Sequence, residues 1–184
     1  MIRWIAAIVA LAAAGAASAA ELKVLTAGAF KPVLLELLPA WEAATGDKAV
    51  VDNDTAGGLI KRIEGGEVFD LVVLTKSGIA DLTAKGRVAS GSGADLARVG
   101  IGVGVKAGAP RPDLSSADAF KRMLLDAPSV AYIDPASGGS SGIYLAGLFE
   151  RMGIAEALKR KSILVRGGLA ARPVADGSAS VALQ

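Results

Sequence analysis

The sequence predicts an α/β protein built on mostly parallel sheets, and three observations carry that prediction. Strand-like and helix-like segments alternate along the chain from Glu21 onward, the pattern of βαβ units. The run "DLVVLT" (Asp70–Thr75) is continuously apolar after its first residue, as in strands buried on both faces of a parallel sheet. Finally, 4% aromatic content with 23 glycines in 184 residues suits close strand–helix packing better than an aromatic-rich β-sandwich.

The elements follow in order. "ELKVLTA" (Glu21–Ala27) is β-rich and ends at Gly28. "KPVLLELLPAWEAATG" places Val33, Leu34, Leu37, Leu38 and Trp41 at helical spacing, with Gly46 as a stop and Pro39 as a candidate kink. Strand "KAVVDND", the short helix "GGLIKRIEGG", strand "DLVVLT" and the short helix "SGIADLTAKG" come next. Residues 87–98 are polar and glycine-rich, a boundary between two lobes. Beyond it lie strand "VGIGVGVKAG", a proline-marked loop, and helix "SADAFKRMLLDA" with Ser115 or Ser116 as N-cap. Strand "SVAYID", helix "SGIYLAGLFERMG" and a further helix "IAEALKRK" precede two last strands, "SILVRGG" and "SASVALQ". The strands are expected at about 22–27, 48–54, 70–75, 99–106, 130–134, 163–167 and 179–184.

The N-terminus "MIRWIAAIVALAAAGAASAA" has one charge at Arg3, a short apolar run, and the small-residue site Ala17-Ser18-Ala19. This is the layout of a secretory signal over residues 1–20, cut after Ala19 or Ala20. The apolar run is too short and alanine-rich for a membrane span. The predicted organisation is therefore signal 1–20, first lobe 21–98 and second lobe 99–184.

Composition excludes several chemistries. There is no Cys, hence no disulfide and no thiolate metal site. There is no His, which removes the commonest general base and the commonest zinc ligand. The formal charge is +2, or +1 once Arg3 leaves with the signal, and no polybasic run suggests nucleic acid. Neither a cofactor nor a resident metal is expected. Asp52, Asp54 and Asp70 could form a carboxylate cluster, but they read better as strand-end and turn residues.

Three loops share one design: a strand ends, a small or hydroxyl-bearing turn follows, and a helix begins. They are "TAGAF" (Thr26–Phe30), "NDTAGG" (Asn53–Gly58) and "DPASGGSSG" (Asp134–Gly142). In open α/β sheets ligands sit beyond the carboxyl ends of the strands, where helix N-termini favour anions. Three such loops converging would bind a small anion without a cationic side chain. Ser, Thr, Asn and Gly are also ordinary cap and turn residues, so one loop alone carries little. Gly138-Gly139-Ser140-Ser141-Gly142 matches the nucleophile elbow G-x-S-x-G. Without a histidine, Ser140 has no evident base, and hydrolysis is set aside. The glycines of "GIGVGVKAG" miss dinucleotide-loop spacing and are assigned to packing.

Together "ELKVLTAGAFKPVLLELLPAWEAATG", "DNDTAGGLIKRIEGGEVFDLVVLTKSGIADL", "VGIGVGVKAGAPRPD" and "AYIDPASGGSSGIYLAGLFERMGI" resemble the periplasmic molybdate-binding protein family. The resemblance runs from about Glu21 to Gln184. It implies a two-lobed type II periplasmic-binding-protein fold, a periplasmic location, an ABC-importer permease as partner, a monomer, and an oxyanion held in the inter-lobe cleft. By that resemblance the ligand contacts are Ala27, Gly28 and Ala29, then Thr55, Ala56 and Gly57, then Ser137, Ser140, Ser141 and Tyr144.

Two departures qualify it. The family's first loop carries serines where this chain has Gly28 and Ala29, leaving backbone N–H groups or the Thr26 hydroxyl. That loss favours a small di- or tricarboxylate over molybdate. It also opens an alternative, isomerisation of an unsaturated organic acid on the same scaffold, with Asp54, Tyr132, Tyr144, Lys31 and Lys76 as proton-transfer candidates. Second, family members continue for several elements past the position of Gln184. The expectation is a truncated chain without the second crossover, its first lobe exposing an apolar face, or at worst a non-binding remnant.

Overall fold

The computed structural model describes residues 19–184; all but the end of the expected signal segment lies outside them. Seven strands and seven helices are described. The fold is α/β with mostly parallel sheets, as the alternation required. The strands sort into two sheets, one ordered β2-β1-β3 and one ordered β4-β7-β5-β6.

In the first sheet, β1 (Glu21–Ala27) lies between β2 (Lys48–Asp54) and β3 (Leu71–Val73), parallel to both. The register pairs Ala27 with Asp54 and Thr26 with Val73, so all three strand ends open on one edge. Helix α1 (Lys31–Thr45) runs unbroken through Pro39 and ends at Gly46, whose N–H bonds to Glu42 O. Helices α2 (Ala56–Glu64) and α3 (Lys76–Ala84) begin with the same device: Thr55 and Thr75 accept a hydrogen bond from the N–H three residues on. Apolar residues of α2 and α3 then face the sheet, joining Leu25, Leu59, Ile63 and Leu82 in one core.

In the second sheet, β5 (Val130–Ile133) pairs in parallel with β6 (Ser162–Val165) and β7 (Val181–Leu183), while β4 (Val103–Val105) runs antiparallel to β7. All four β5 residues are buried, which is why that run is continuously apolar. Helix α4 (Ala117–Asp126) is capped by Ser116, α5 (Ser140–Arg151) follows the third loop, and α6 (Ala155–Lys159) packs beside them. Tyr132 and Phe149 meet edge to face at 5.4 Å within this core. On the other face Ala131 and Ala182 pack with Val174. That residue belongs to a short helix, α7 (Arg172–Ala175), which sequence periodicity did not predict; four residues are too few to show a period.

The remaining differences are local. Strands β3 and β4 are shorter than expected, three residues each. Of the glycines assigned to packing, Gly100 has open space and a Cβ at Gly104 would meet Ala182 at 3.7 Å, an ordinary contact. Packing does not require glycine at either position. Large apolar residues are exposed in both halves: α1 has no buried residue, with Val33, Leu35 and Leu37 exposed, and Val68, Leu71, Leu96, Val99, Leu164 and Leu169 are exposed elsewhere. Among the described residues no helix is long and apolar enough to cross a membrane.

Candidate functional site

The carboxyl ends of β1 and β2 in the first sheet and of β5 in the second face one cleft of about 2420 Å³. Ala27, Gly28, Ala29, Thr55, Ala56, Ser140, Ser141 and Tyr144 all line it. Gly57 and Ser137, expected beside them, do not. They form the contact that joins the second loop to the third.

That contact is short and specific. Gly57 N–H donates to Gly138 O at 2.9 Å, and the Thr55 hydroxyl donates to Ser137 O at 2.9 Å. The loops approach so closely that a Cβ on Gly57 would sit 2.8 Å from Gly138 Cα. Gly138 also has φ +77°, the left-handed region that side chains disfavour. Two glycines thus let one backbone lie against the other.

The donors committed here are not available to a ligand in this arrangement. The single Thr55 proton points at Ser137 O while its oxygen caps α2 through Gly58 N–H at 3.0 Å. The Ser137 hydroxyl donates to Asp134 O at 2.7 Å. Thr26, a fallback donor for the first loop, is fully buried and donates to Ala27 O. Its burial behind the strand end removes it from the cleft, a correction to the sequence reading. Among the described residues, Ser140, Ser141 and Tyr144 are the expected contacts whose hydroxyls make no bond within the protein. The two serines stand on the first turn of α5, whose N-cap, Gly139, supplies no side-chain cap.

The "GGSSG" spacing has a structural cause. A Cβ on Gly142 would fall 2.0 Å from Ile133 O, and one on Gly139 would fall 2.2 Å from Ile133 Cγ2. The glycines seat the start of α5 against the end of β5, with serines between them facing the cleft. Ser140 is thereby a helix-start residue; no histidine exists to activate it.

The proton-transfer candidates separate. Asp54, Lys76 and Tyr144 line the cleft. Tyr132 does not: it is buried in the second core, its hydroxyl accepting from Ser162 at 3.2 Å. Nor does Lys31, whose ammonium donates to Asn53 Oδ1 at 2.5 Å. The carboxylates considered for a metal are engaged by protein donors, with Arg62 also 3.9 Å from Asp54 Oδ2. Asp52 pairs with Arg62, Asp54 Oδ1 accepts from Thr55 N, and Asp70 Oδ2 accepts from Lys23 N. Hydrogen bonds from Arg62 hold the Asp52 carboxyl below its usual range. Arg62 and Lys23 together draw Glu67 down to about 2. These pairs tie β1, β2 and α2 together on the surface.

One cleft residue was missed. Arg166, directly after β6, lines the cleft with a largely exposed side chain. Its signal was visible in "SILVRGG", an arginine at a strand end before two glycines, but the stretch was read only as a strand. Arg166 joins Lys76 and Arg87 as cations lining the cleft, contrary to the expectation of neutral donors alone.

A profile of the family described as "Bacterial extracellular solute-binding protein" matches residues 22–184. The chain belongs to this family. A curated relative, an aconitate isomerase from a Pseudomonas species, is 36% identical over 169 residues, covering 89% of this chain. The chain spans 63% of that relative's length. Among solved structures, the substrate-binding domain of a putative molybdenum ABC transporter from Clostridium difficile superposes with TM-score 0.64 at 17% identity, over 90% of this chain and 71% of that one. The periplasmic molybdate-binding protein of Azotobacter vinelandii gives 0.63 at 20% identity, over 88% and 70%. The tungstate-binding protein of Desulfovibrio alaskensis gives 0.58 at 16%, over 90% and 67%. At such identities the likeness establishes a shared periplasmic-binding-protein fold, which this family member therefore has.

Proposed function

We propose that this solute-binding family member acts in the periplasm as the receptor of an ABC importer, closing two lobes, residues 21–98 and 99–184, over a small anion. The observation that carries this reading is the junction of the second and third loops. Thr55 and Gly57 bond across to Ser137 and Gly138 at the edge of a cleft that Gly28, Ala29, Ser140, Ser141 and Tyr144 also line. Loops from both sheets thus close on one crevice, the arrangement that hinge closure requires. Within it the first turn of α5 offers backbone N–H groups and two unengaged hydroxyls to negative charge. Ala27, Gly28 and Ala29 add only backbone, and Ala56 an apolar wall.

Differential scanning fluorimetry of the mature chain against oxyanions (molybdate, tungstate, sulfate) and carboxylic acids tests this. Stabilisation by one anion class, reduced by the Ser140→Ala/Ser141→Ala pair, is expected. A chain that melts cooperatively but responds to none would overturn it, and absence of a cooperative melt would favour the remnant reading.

A second reading, isomerisation of an unsaturated carboxylic acid, is favoured by the 36% identity to an aconitate isomerase. A base would remove a proton beside a carboxylate, and the proton would return after the double bond rearranges. Asp54, with Tyr144 or Lys76 as acid, lines the cleft for this role. Incubation with cis-aconitate followed by chromatography separates the readings, since a receptor retains the acid unchanged.

A further inference from the structure

We propose that Arg166 is the ligand's charge anchor and that it selects a compound bearing two or more carboxylates. The inference rests on the reading of the cleft as an anion site and names the ligand class for it.

Arg166 stands at the carboxyl end of β6, where Asp134 N–H donates to Val165 O at 2.8 Å and so fastens the strand end to the third loop. Its neighbour Gly167 lies against the second loop, since a Cβ there would be 3.9 Å from Thr55 Cγ2. The arginine is thus beside the junction where Thr55 meets Ser137. Its side chain is 88% exposed, and its one ionic neighbour among the described residues is Asp134, 3.8 Å from Nε. That pairing is loose, and Asp134 Oδ1 already accepts from Ala136 N at 2.9 Å. The terminal guanidinium nitrogens form no hydrogen bond among the described residues.

A planar fork with free donors matches a carboxylate in bidentate fashion. A tetrahedral oxyanion is better served by donors converging from several sides. Here the first loop has no side-chain donor, and Thr55, Gly57 and Ser137 are engaged with protein partners. What remains is a set of separated donors along the cleft: the first turn of α5 with Ser140 and Ser141, the Tyr144 hydroxyl, the Lys76 and Arg87 cations, and the Arg166 fork. Two anionic ends on one carbon frame reach the first turn of α5 and the Arg166 fork together. Gln184 steadies the loop after Arg166, accepting from Ala170 N at 2.5 Å and donating to Gly168 O at 3.0 Å.

Isothermal titration of the full mature chain with cis-aconitate, citrate, succinate, acetate and molybdate tests the assignment. The polycarboxylates are expected to bind, with acetate and molybdate at least tenfold weaker. Arg166→Gln should weaken polycarboxylate binding tenfold or more. Arg166→Lys, which keeps charge without the fork, should recover only part. The exposure of Arg166 predicts unchanged melting for both variants. Wild-type polycarboxylate affinity in Arg166→Gln would overturn the role of Arg166 and leave the cleft reading standing. Molybdate binding with no carboxylate binding would overturn the ligand class. Silence of the wild-type chain toward every anion would overturn the cleft reading itself, and this inference with it.

Discussion

Substituting Gly57 by alanine should part the two loops while barely changing overall stability. Gly57 lies in the first turn of α2, where alanine is the better helix former by about 1 kcal/mol. The added Cβ would meet Gly138 Cα at 2.8 Å and Gly138 O at 3.3 Å, and both are backbone atoms that cannot turn away. Relief requires separation, which breaks the Gly57 N–H bond to Gly138 O and the Thr55 bond to Ser137 O. At about 1 kcal/mol each, the two lost bonds outweigh the helix gain by roughly 1 kcal/mol. Gly138→Ala loses the same bonds with no helix gain and adds the left-handed penalty at φ +77°, roughly 1–2 kcal/mol, for a total of about 3–4 kcal/mol. Urea denaturation gives the energies, and small-angle scattering gives the opening as a rise in radius of gyration. The double variant should lose less than the sum, because the bonds can be broken only once. A Gly57→Ala protein that gains about 1 kcal/mol with unchanged radius would show that the loops do not touch, and the reasoning would fail.

Other expectations follow from the same contacts. Gly142→Ala should cost more than about 3 kcal/mol or prevent folding, read by urea denaturation, because its Cβ would lie 2.0 Å from Ile133 O. Glu67, drawn from its ordinary 4.5 to about 2 by Arg62 and Lys23, contributes stability present above 4.5 and lost as pH falls through about 2. Glu67→Gln should flatten the denaturation midpoint against pH across that window. Tyr132→Phe should leave any turnover of cis-aconitate unaltered, whereas Asp54→Asn should abolish it, by chromatographic assay, since only Asp54 of the two lines the cleft.

The legible part of the fold was the part governed by periodicity. All seven strands were located because strand-end turns punctuate them, and β5 stood out because both its faces are buried. Gly46 and Ser116 marked helix ends through local backbone chemistry, which sequence records directly. Helix α7 was invisible, being held by packing of Val174 against the sheet rather than by any pattern of its own. The shortness of β3 was also hidden, since its apolar residues continue past the last paired position at Val73.

At the candidate site, the sequence suggested which loops to look at but not how their donors are divided. The three strand-end loops share one design in the sequence, and residues from each of them line one cleft. Which hydroxyl faces a ligand and which faces another loop depends on residues 82 positions apart, as Thr55 and Ser137 are. No local pattern carries that information. A threonine that caps a helix and a threonine that also bridges two sheets have the same sequence context. With Thr55, Gly57, Ser137 and Gly138 as the seam, the proposed reading assigns charge recognition to groups on either side of it. On one side stand the serines of α5, held forward by Gly139 and Gly142; on the other stands Arg166, at the end of an adjacent parallel strand. The seam and the groups proposed to recognise charge are separate sets of residues. Loop closure can therefore be weakened at Gly57 without deleting a ligand contact, and ligand choice altered at Arg166 without disturbing the seam.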